Sequence, residues 1–172
     1  MEWRVRQAGP DDAAALSLVA NAAFLDTYAM VLNSVDLLAH CLKNNGIETF
    51  AAWARDPGTI LTLAEVEPGH APVGYAVLTR PDLPIEPRPG DIELRRIYTL
   101  KQTHGSGVGP ALMMRASEDA VRSGYRRMLL GVWEYNERAR AFYGRNGFTV
   151  IGRRQFEVGA EVHDDPIYAL SL

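Results

Sequence analysis

One short stretch, His104-Gly105-Ser106-Gly107-Val108-Gly109-Pro110, forces a sharp change of direction on the chain. It follows a strand-like run, Ile92 to Leu100, and opens a helix-like run, Pro110 to Ser123. Glycines this close together contribute nothing to a core. They let the backbone turn tightly and leave its N–H groups uncovered. Those donors then sit at the positive end of a helix, where a phosphate or pyrophosphate is the natural guest. Pro110 fits as the first helical residue, because its missing N–H costs nothing there. The expectation is a phosphorylated cofactor held by backbone amides. The spacing Gly105-x-Gly107-x-Gly109 misses the dinucleotide fingerprint, since Pro110 stands where that pattern needs glycine or alanine. It also lacks the Gly-Lys-Ser/Thr of a P-loop. The alternative is a flexible strand-to-helix connection with no ligand.

A chain of 172 residues suffices for one well-buried core, so a single domain over residues 1–172 is expected. The net charge of −3, from 18 basic and 21 acidic residues, argues against nucleic acid and is compatible with a cationic substrate. A lone cysteine, Cys41, rules out an internal disulfide and a cysteine-based metal site; on its apolar helix face it reads as a small core residue. His40, His70, His104 and His163 lack ligand-like spacing, so no metal is expected. The first residues alternate and form no apolar signal core, and no apolar run approaches membrane-spanning length. No membrane partner and a cytoplasmic location are the default expectations.

Along the chain, Trp3, Val5 and Gln7 alternate with Arg4 and Arg6, as in a strand. Gly9-Pro10-Asp11-Asp12 starts a helix with Leu16, Val19, Ala20 and Ala23 on one face. Asn33 or Ser34 caps a second helix ending near Gly46, and a short helical piece runs from Ile47 to Ala54. Thr59–Val66 and Val73–Thr79 read as a strand hairpin, and proline-rich Pro81–Gly90 as a loop. After the glycine loop and its helix, Met128–Val132 is apolar throughout, as in a strand covered on both faces. Asn136 caps a further helix that Gly147 ends, and Val150–Val158 and Ile167–Leu172 are the last strands. Leaving the short piece aside, the order is β-α-α-β-β-β-α-β-α-β-β. This is an α/β (α+β) pattern: a mixed, mostly antiparallel sheet of about seven strands with helices on both faces. An edge strand expected at the C-terminus offers a surface on which two copies could pair as a homodimer.

The fourth strand carries an irregularity. Ile92 and Leu94 share a face, yet the next strongly apolar residue is Ile97. The alternation slips by one across Arg95-Arg96, which a β-bulge would explain. A bulge breaks pairing with the next strand and leaves amide groups that an extended ligand can use as a strand would. A solvent-exposed strand without special geometry is the plainer alternative.

Four segments, Glu93 to Thr99, His104 to Gly109, Leu130 to Asn136 and Ala139 to Phe148, resemble the GCN5-related N-acetyltransferase superfamily. The resemblance covers nearly the whole chain, Trp3 to Leu172. Asp164 to Tyr168 and Leu94 to Tyr98 are similar to a bacterial branch that includes polyamine acetylases. The resemblance implies that the loop His104, Gly105, Ser106, Gly107, Val108 and Gly109 holds the pyrophosphate of acetyl-CoA, and that Ile97, Tyr98 and Thr99 lie along the pantetheine arm. His104 departs from the family pattern, which has Gln or Arg there; a neutral imidazole offers only one donor. Asn136 matches a cofactor-contacting position that also caps the next helix. Tyr143 matches the family's tyrosine, and a phenol with a pKa near 10 can protonate a departing thiolate. Glu93 is the candidate general base, since an amine arriving as ammonium must lose a proton.

Each residue has a plainer reading: Asn136 as a pure cap, Tyr143 as a buried aromatic, Glu93 as a solvated carboxylate. Trp133, Glu134 and Tyr135 lie where the acceptor is expected to enter, and Asp26, Tyr28, Glu65 and Asp82 could add to a cation-friendly lining. Trp3 and Trp53 carry no signal separable from packing. The expected activity is transfer of acetyl from acetyl-CoA to a primary amine of a small molecule, polyamine-like or amino-acid-like, by direct attack. Acetylation of a peptide or protein amine is one alternative; a non-catalytic acyl-CoA-binding module and a nucleotide-binding oxidoreductase are others.

Overall fold

The computed structural model describes residues 2–158 and 161–172, with side chains outside 156–163. The chain opens with β1 (Trp3–Ala8), a 3-10 turn (Pro10–Asp12) and three helices, α1 (Ala13–Tyr28), α2 (Ser34–Asn44) and α3 (Ile47–Arg55). Three strands follow, β2 (Ile60–Val66), β3 (Ala71–Thr79) and β4 (Asp91–Thr99). After them come a second 3-10 turn (Lys101–Thr103) and α4 (Val108–Arg122). β5 (Arg127–Gly131), α5 (Glu137–Arg145), β6 (Thr149–Val158) and β7 (Glu161–Ser171) complete it.

The strands form one seven-stranded sheet in the order β1-β2-β3-β4-β5-β7-β6. Only β4 and β5 pair in parallel; the other neighbours are antiparallel. The C-terminal strand is therefore not an edge, contrary to the sequence expectation. β7 is inserted between β5 and β6, and β6 takes the edge, because β5 has no other partner on that side. The homodimer argument drawn from a C-terminal edge loses its basis.

Strand alternation divides the core in two. On one face Ala76, Leu78, Ile92, Leu94, Met128 and Leu130 pack under Met113, Ala116 and Ala120 of α4. On the other, Leu61, Leu63, Tyr75 and Val77 pack against Leu16, Val19 and Ala20 of α1 and Phe50 of α3. The predicted inner face of α1 is therefore correct. Asn33 caps α2 as expected, its Oδ1 accepting the Asp36 N–H at 3.0 Å. α2 buries none of its residues, however, and Cys41 is half-buried, not a core residue. The helix lies over the rim of α1 and not on the sheet, so its apolar stripe is only partly covered.

The predicted slip in β4 is real. Val77 stands opposite Arg96 while Leu78 stands opposite Leu94, so Arg95 is the extra residue of a bulge. The parallel ladder to β5 stops just before it, after Asp91–Arg127, Ile92–Met128 and Glu93–Leu129. A two-pronged ion pair locks its first rung: Arg127 Nε and Nη2 donate to the Asp91 oxygens at 2.7 and 2.6 Å. The Arg88 N–H adds a third bond at 2.7 Å. Burial pushes the Asp91 carboxyl up, but these bonds outweigh it and hold the group below the ordinary aspartate value. The stabilisation is complete above that ordinary value and drains away as pH falls through the lower native one. Asp91→Asn is expected to destabilise the fold by about 3 kcal/mol at neutral pH, since it strands a largely buried guanidinium. Urea unfolding measures this, and the gap from wild type should close in acid.

Candidate active site

Beyond Glu93 and Leu129, β4 continues without a partner on its β5 side. Leu100 N–H donates to the Val73 carbonyl of β3 at 2.9 Å. Alternation directs the main chain of Tyr98 to β3 as well, and that of Ile97 and Thr99 to the open edge. Ile97 and Thr99 thus direct backbone groups to the open edge, where the His104 ring bonds the Thr99 carbonyl. Tyr98 offers the cleft only its side chain.

The open edge leads into the glycine loop. Thr103 O accepts the Ser106 N–H at 3.1 Å and the Ser106 hydroxyl at 2.6 Å, so Ser106 is turned inward and is no free donor. Gly105 and Gly107 have φ of +82° and +90°, which only glycine adopts without strain. α4 begins at Val108, so Pro110 is its third residue and not its first. The proline still lies in the first turn, where an N–H would have no helical acceptor. Among the described residues, no hydrogen bond takes up the N–H of Gly105, Gly107, Val108 or Gly109. A row of unpaired amides at a helix N-terminus is an anion cradle.

Three side chains that the sequence did not single out for this role set the cradle's position. Trp3 Nε1 donates to the Ser106 carbonyl at 3.3 Å. Asp26 Oδ2 accepts the Lys101 N–H at 3.1 Å, which takes it out of the expected acceptor lining. Arg138, in the first turn of α5, places Nη1 2.6 Å from His104 Nδ1. Partial burial and this guanidinium lower the His104 pKa, so the ring is neutral and accepts on Nδ1. Where the family carries a long donor, this chain has an acceptor that holds an arginine beside the loop.

Tyr143 reaches the cleft from α5. Burial, with the nearby Tyr28 hydroxyl adding to it, raises its pKa above the ordinary phenol value. It is therefore a protonated donor across the neutral range. Tyr28, from the last turn of α1, also meets the Tyr98 hydroxyl, whose pKa burial raises further still. Three phenols from α1, β4 and α5 thus converge where β4 and β5 part. Asn136 caps α5, its Oδ1 accepting the Ala139 N–H at 3.0 Å.

Glu93 is buried, at 7% exposure, and not solvated. Its Oε2 accepts the Asp82 N–H at 2.6 Å and lies 3.7 Å from Arg95 Nη2. Glu134 fastens β5 to β7: its Oε1 accepts the Asp164 N–H and its own N–H donates to Asp165. Trp133 and Tyr135 pack edge-to-face at 5.4 Å and stay exposed. Glu65 is far from all this, bound to Arg4 and Arg6 on β1. Among the described residues no group of side chains that could hold a metal ion comes together, and no helix is long and apolar enough to cross a membrane.

A model of the acetyltransferase (GNAT) family matches residues 32–148. This chain belongs to that family. Membership makes it an acyl-CoA-dependent N-acetyltransferase, with acetyl-CoA as co-substrate. It is 36% identical over 123 residues to an uncharacterized N-acetyltransferase of Mycobacterium tuberculosis, covering 72% of this chain and 74% of that one. A second uncharacterized N-acetyltransferase, from Lactobacillus delbrueckii subsp. lactis, is 26% identical over 94% of this chain and 93% of its own. Among solved structures, the PaiA N-acetyltransferase of Thermoplasma acidophilum in complex with coenzyme A superposes with a TM-score of 0.78 at 19% identity, covering both chains fully. YncA of Salmonella typhimurium, a putative acetyltransferase with its cofactor acetyl-CoA, gives 0.69 at 22% identity, over 100% of this chain and 95% of that one. These two likenesses support the acetyltransferase fold.

In this acetyltransferase the Trp3 bond is a tertiary fastening that can be cut without removing the ring. Trp3→Phe is expected to speed amide hydrogen exchange at residues 105–108 and to lower stability by about 1 kcal/mol. Exchange mass spectrometry on the unliganded protein reads the first, and urea unfolding the second.

Proposed function

We propose that this enzyme acetylates a small primary amine by direct attack on the acetyl-CoA thioester. The observation that carries the reading is the continuity of one unpaired edge. It runs from the bulge at Arg95, along Ile97 and the N–H of Thr99, whose carbonyl the His104 ring bonds, to the unpaired amides of Gly105, Gly107, Val108 and Gly109, with Tyr143 beside it. An extended ligand with amides in its middle and a diphosphate at one end fits such an edge. The pantetheine arm would pair with Ile97 and Thr99 as a strand does. The diphosphate would take the loop amides and the α4 dipole, with Arg138 adding a positive charge.

Holding the remote nucleotide fixes the thioester at the splay, so the amine meets a positioned carbonyl. The amine nitrogen forms the new C–N bond as the C–S bond breaks. The ammonium sheds two protons on becoming an amide. The first leaves through Glu93 by way of a water before attack; both Glu93 contacts fall on Oε2, which leaves Oε1 for that water. Tyr143 gives its proton to the thiolate as the C–S bond breaks; burial raises its pKa, which keeps the phenol protonated before that step and makes it a weaker acid during it. The second proton passes from the adduct nitrogen to the Tyr143 phenolate and restores the phenol. Asn136 Oδ1 caps the helix, and its Nδ2 would contact the arm. No enzyme nucleophile is required, in keeping with Cys41 lying on outlying α2 with a thiol pKa that burial raises.

Tyr143→Phe is expected to lower kcat about 100-fold with little change in acetyl-CoA affinity. Glu93→Gln, which keeps an acceptor for the Asp82 N–H, should lower kcat by a similar factor. Thiol release under saturating acetyl-CoA measures both, and unchanged turnover would remove the assigned role. Gly109 separates ligand approach from strain. A Cβ there meets only Phe142, at an ordinary 3.8 Å, so the unliganded fold tolerates it. Gly109→Ala should nonetheless weaken acetyl-CoA at least tenfold by calorimetry, because its methyl intrudes on the cradle; normal affinity would move the diphosphate elsewhere.

A further inference from the structure

On the α1 side of β4, a cavity of about 110 Å³ lies next to the cleft. Phe24, His40, Tyr75, Tyr98, Arg95 and Arg96 line it, together with Ala20 and Asn45; none of its lining residues is a carboxylate. It adjoins the transfer site through two residues. Arg95 is the bulge itself, and Tyr98 meets Tyr28 beside Tyr143. An acceptor whose amine lies at the splay therefore extends its other end into a cationic recess.

Arg96 gives the recess its meaning. The described chain contains six half-buried arginines: Arg6, Arg95, Arg96, Arg115, Arg127 and Arg154. Five have a carboxylate within 4.0 Å: Glu65 and Asp12 for Arg6, Asp82 and Glu93 for Arg95, Asp119 for Arg115, Asp91 for Arg127 and Asp165 for Arg154. Among the described residues, neutral groups alone hold Arg96. Nη1 donates to the Asn44 carbonyl at 3.1 Å and to Asn45 Oδ1 at 2.8 Å. The Tyr75 hydroxyl also bonds it, and the Trp53 ring lies 4.9 Å from the guanidinium carbon.

These supports are rigid. Asn45 is 1% exposed, and its carbonyl accepts the buried Ser17 hydroxyl at 2.6 Å. A partly desolvated cation fixed by neutral groups is an incomplete pair, and a planar fork is matched best by a carboxylate. His40 strengthens the case. Burial and Arg96 lower its pKa, and it stacks on Phe24 at 3.8 Å. Its Nδ1 lies 3.3 Å from Asn44 Nδ2, which leaves the ring proton on Nε2 as another donor.

We infer that the acceptor is an amine that also bears a carboxylate, of amino-acid size, with Arg96 as the anchor of that carboxylate. The inference rests on the proposed amine acetylation and specifies its substrate class. It turns away from a polyamine, whose second cation would be driven against Arg96 in a recess whose described lining holds no carboxylate.

The test is a panel of matched pairs: α-, β- and γ-amino acids, each against the same amine without the carboxylate, with spermidine and spermine alongside. Acetyl-CoA is saturating and thiol release is the readout. Carboxylate-bearing members are expected to show kcat/KM at least tenfold above their partners. Arg96→Gln should abolish that ratio mainly through KM, while Arg96→Lys, which keeps the charge and loses the fork, retains part of it. Carboxylate-free amines or polyamines performing as well in the wild-type enzyme would overturn the inference and leave the transfer reading standing. Silence from every amine would overturn both. The wild-type pairs decide the matter even if Arg96→Gln fails to fold.

Discussion

The parallel ladder between β4 and β5 is short, and the working parts of the molecule depend on that shortness. Three rungs, locked at the start by Asp91 and Arg127, hold the two halves of the sheet together. Arg95 then adds one residue to β4 relative to β3. A bulge bends its strand and steepens the twist, so β4 follows β3 and leaves β5. Had the ladder continued, Ile97 and Thr99 would be spent on β5, and Tyr143 would face a closed sheet. The cleft is made by an excess residue in one strand, not by a loop that has to open.

The same divergence gives the two faces different work. The α4 face carries the glycine loop, with the helix dipole and the unpaired amides aimed at an anion. The opposite face carries α1 and α3, which pack with Tyr75 and Tyr98, and His40 of α2 helps to enclose the recess around Arg96. β4 is common to both, since successive side chains point to opposite sides. A cofactor can therefore reach the splay from one face and an acceptor from the other without competing for space.

Electrostatics keeps the parts distinct. The proposed cofactor side offers backbone donors, whose partial charges do not titrate, and an arginine held by a neutral imidazole. The proposed acid is a phenol that burial keeps protonated until a thiolate forms beside it, although the same burial makes it a weaker acid. On the proposed acceptor side Arg96 stands out, because among the described residues every other half-buried arginine is matched by a carboxylate. A net charge of −3 over the whole chain therefore does not describe the proposed acceptor recess, whose lining holds Arg95 and Arg96 and no carboxylate.

Much of this was legible in the sequence, because it rests on local rules. The glycines declared the tight turn, Asn33 and Asn136 declared their caps, and the slipped alternation across Arg95-Arg96 declared the bulge. What required the tertiary structure was every contact between distant segments. Nothing near Trp3 tells that its indole holds a carbonyl 103 positions away. Nothing near Asp26 tells that it fastens the loop and does not line the acceptor site. The C-terminal strand read as an edge because strand order is not written in strand pattern; only the competition for β5 put β7 inside the sheet. Backbone geometry follows from neighbouring residue types, so the sequence alone determined the cradle and the bulge. Partner choice depends on which surfaces the fold brings together, so only the folded chain decided that Arg138 stands beside the loop and that, among the described residues, neutral groups alone hold Arg96.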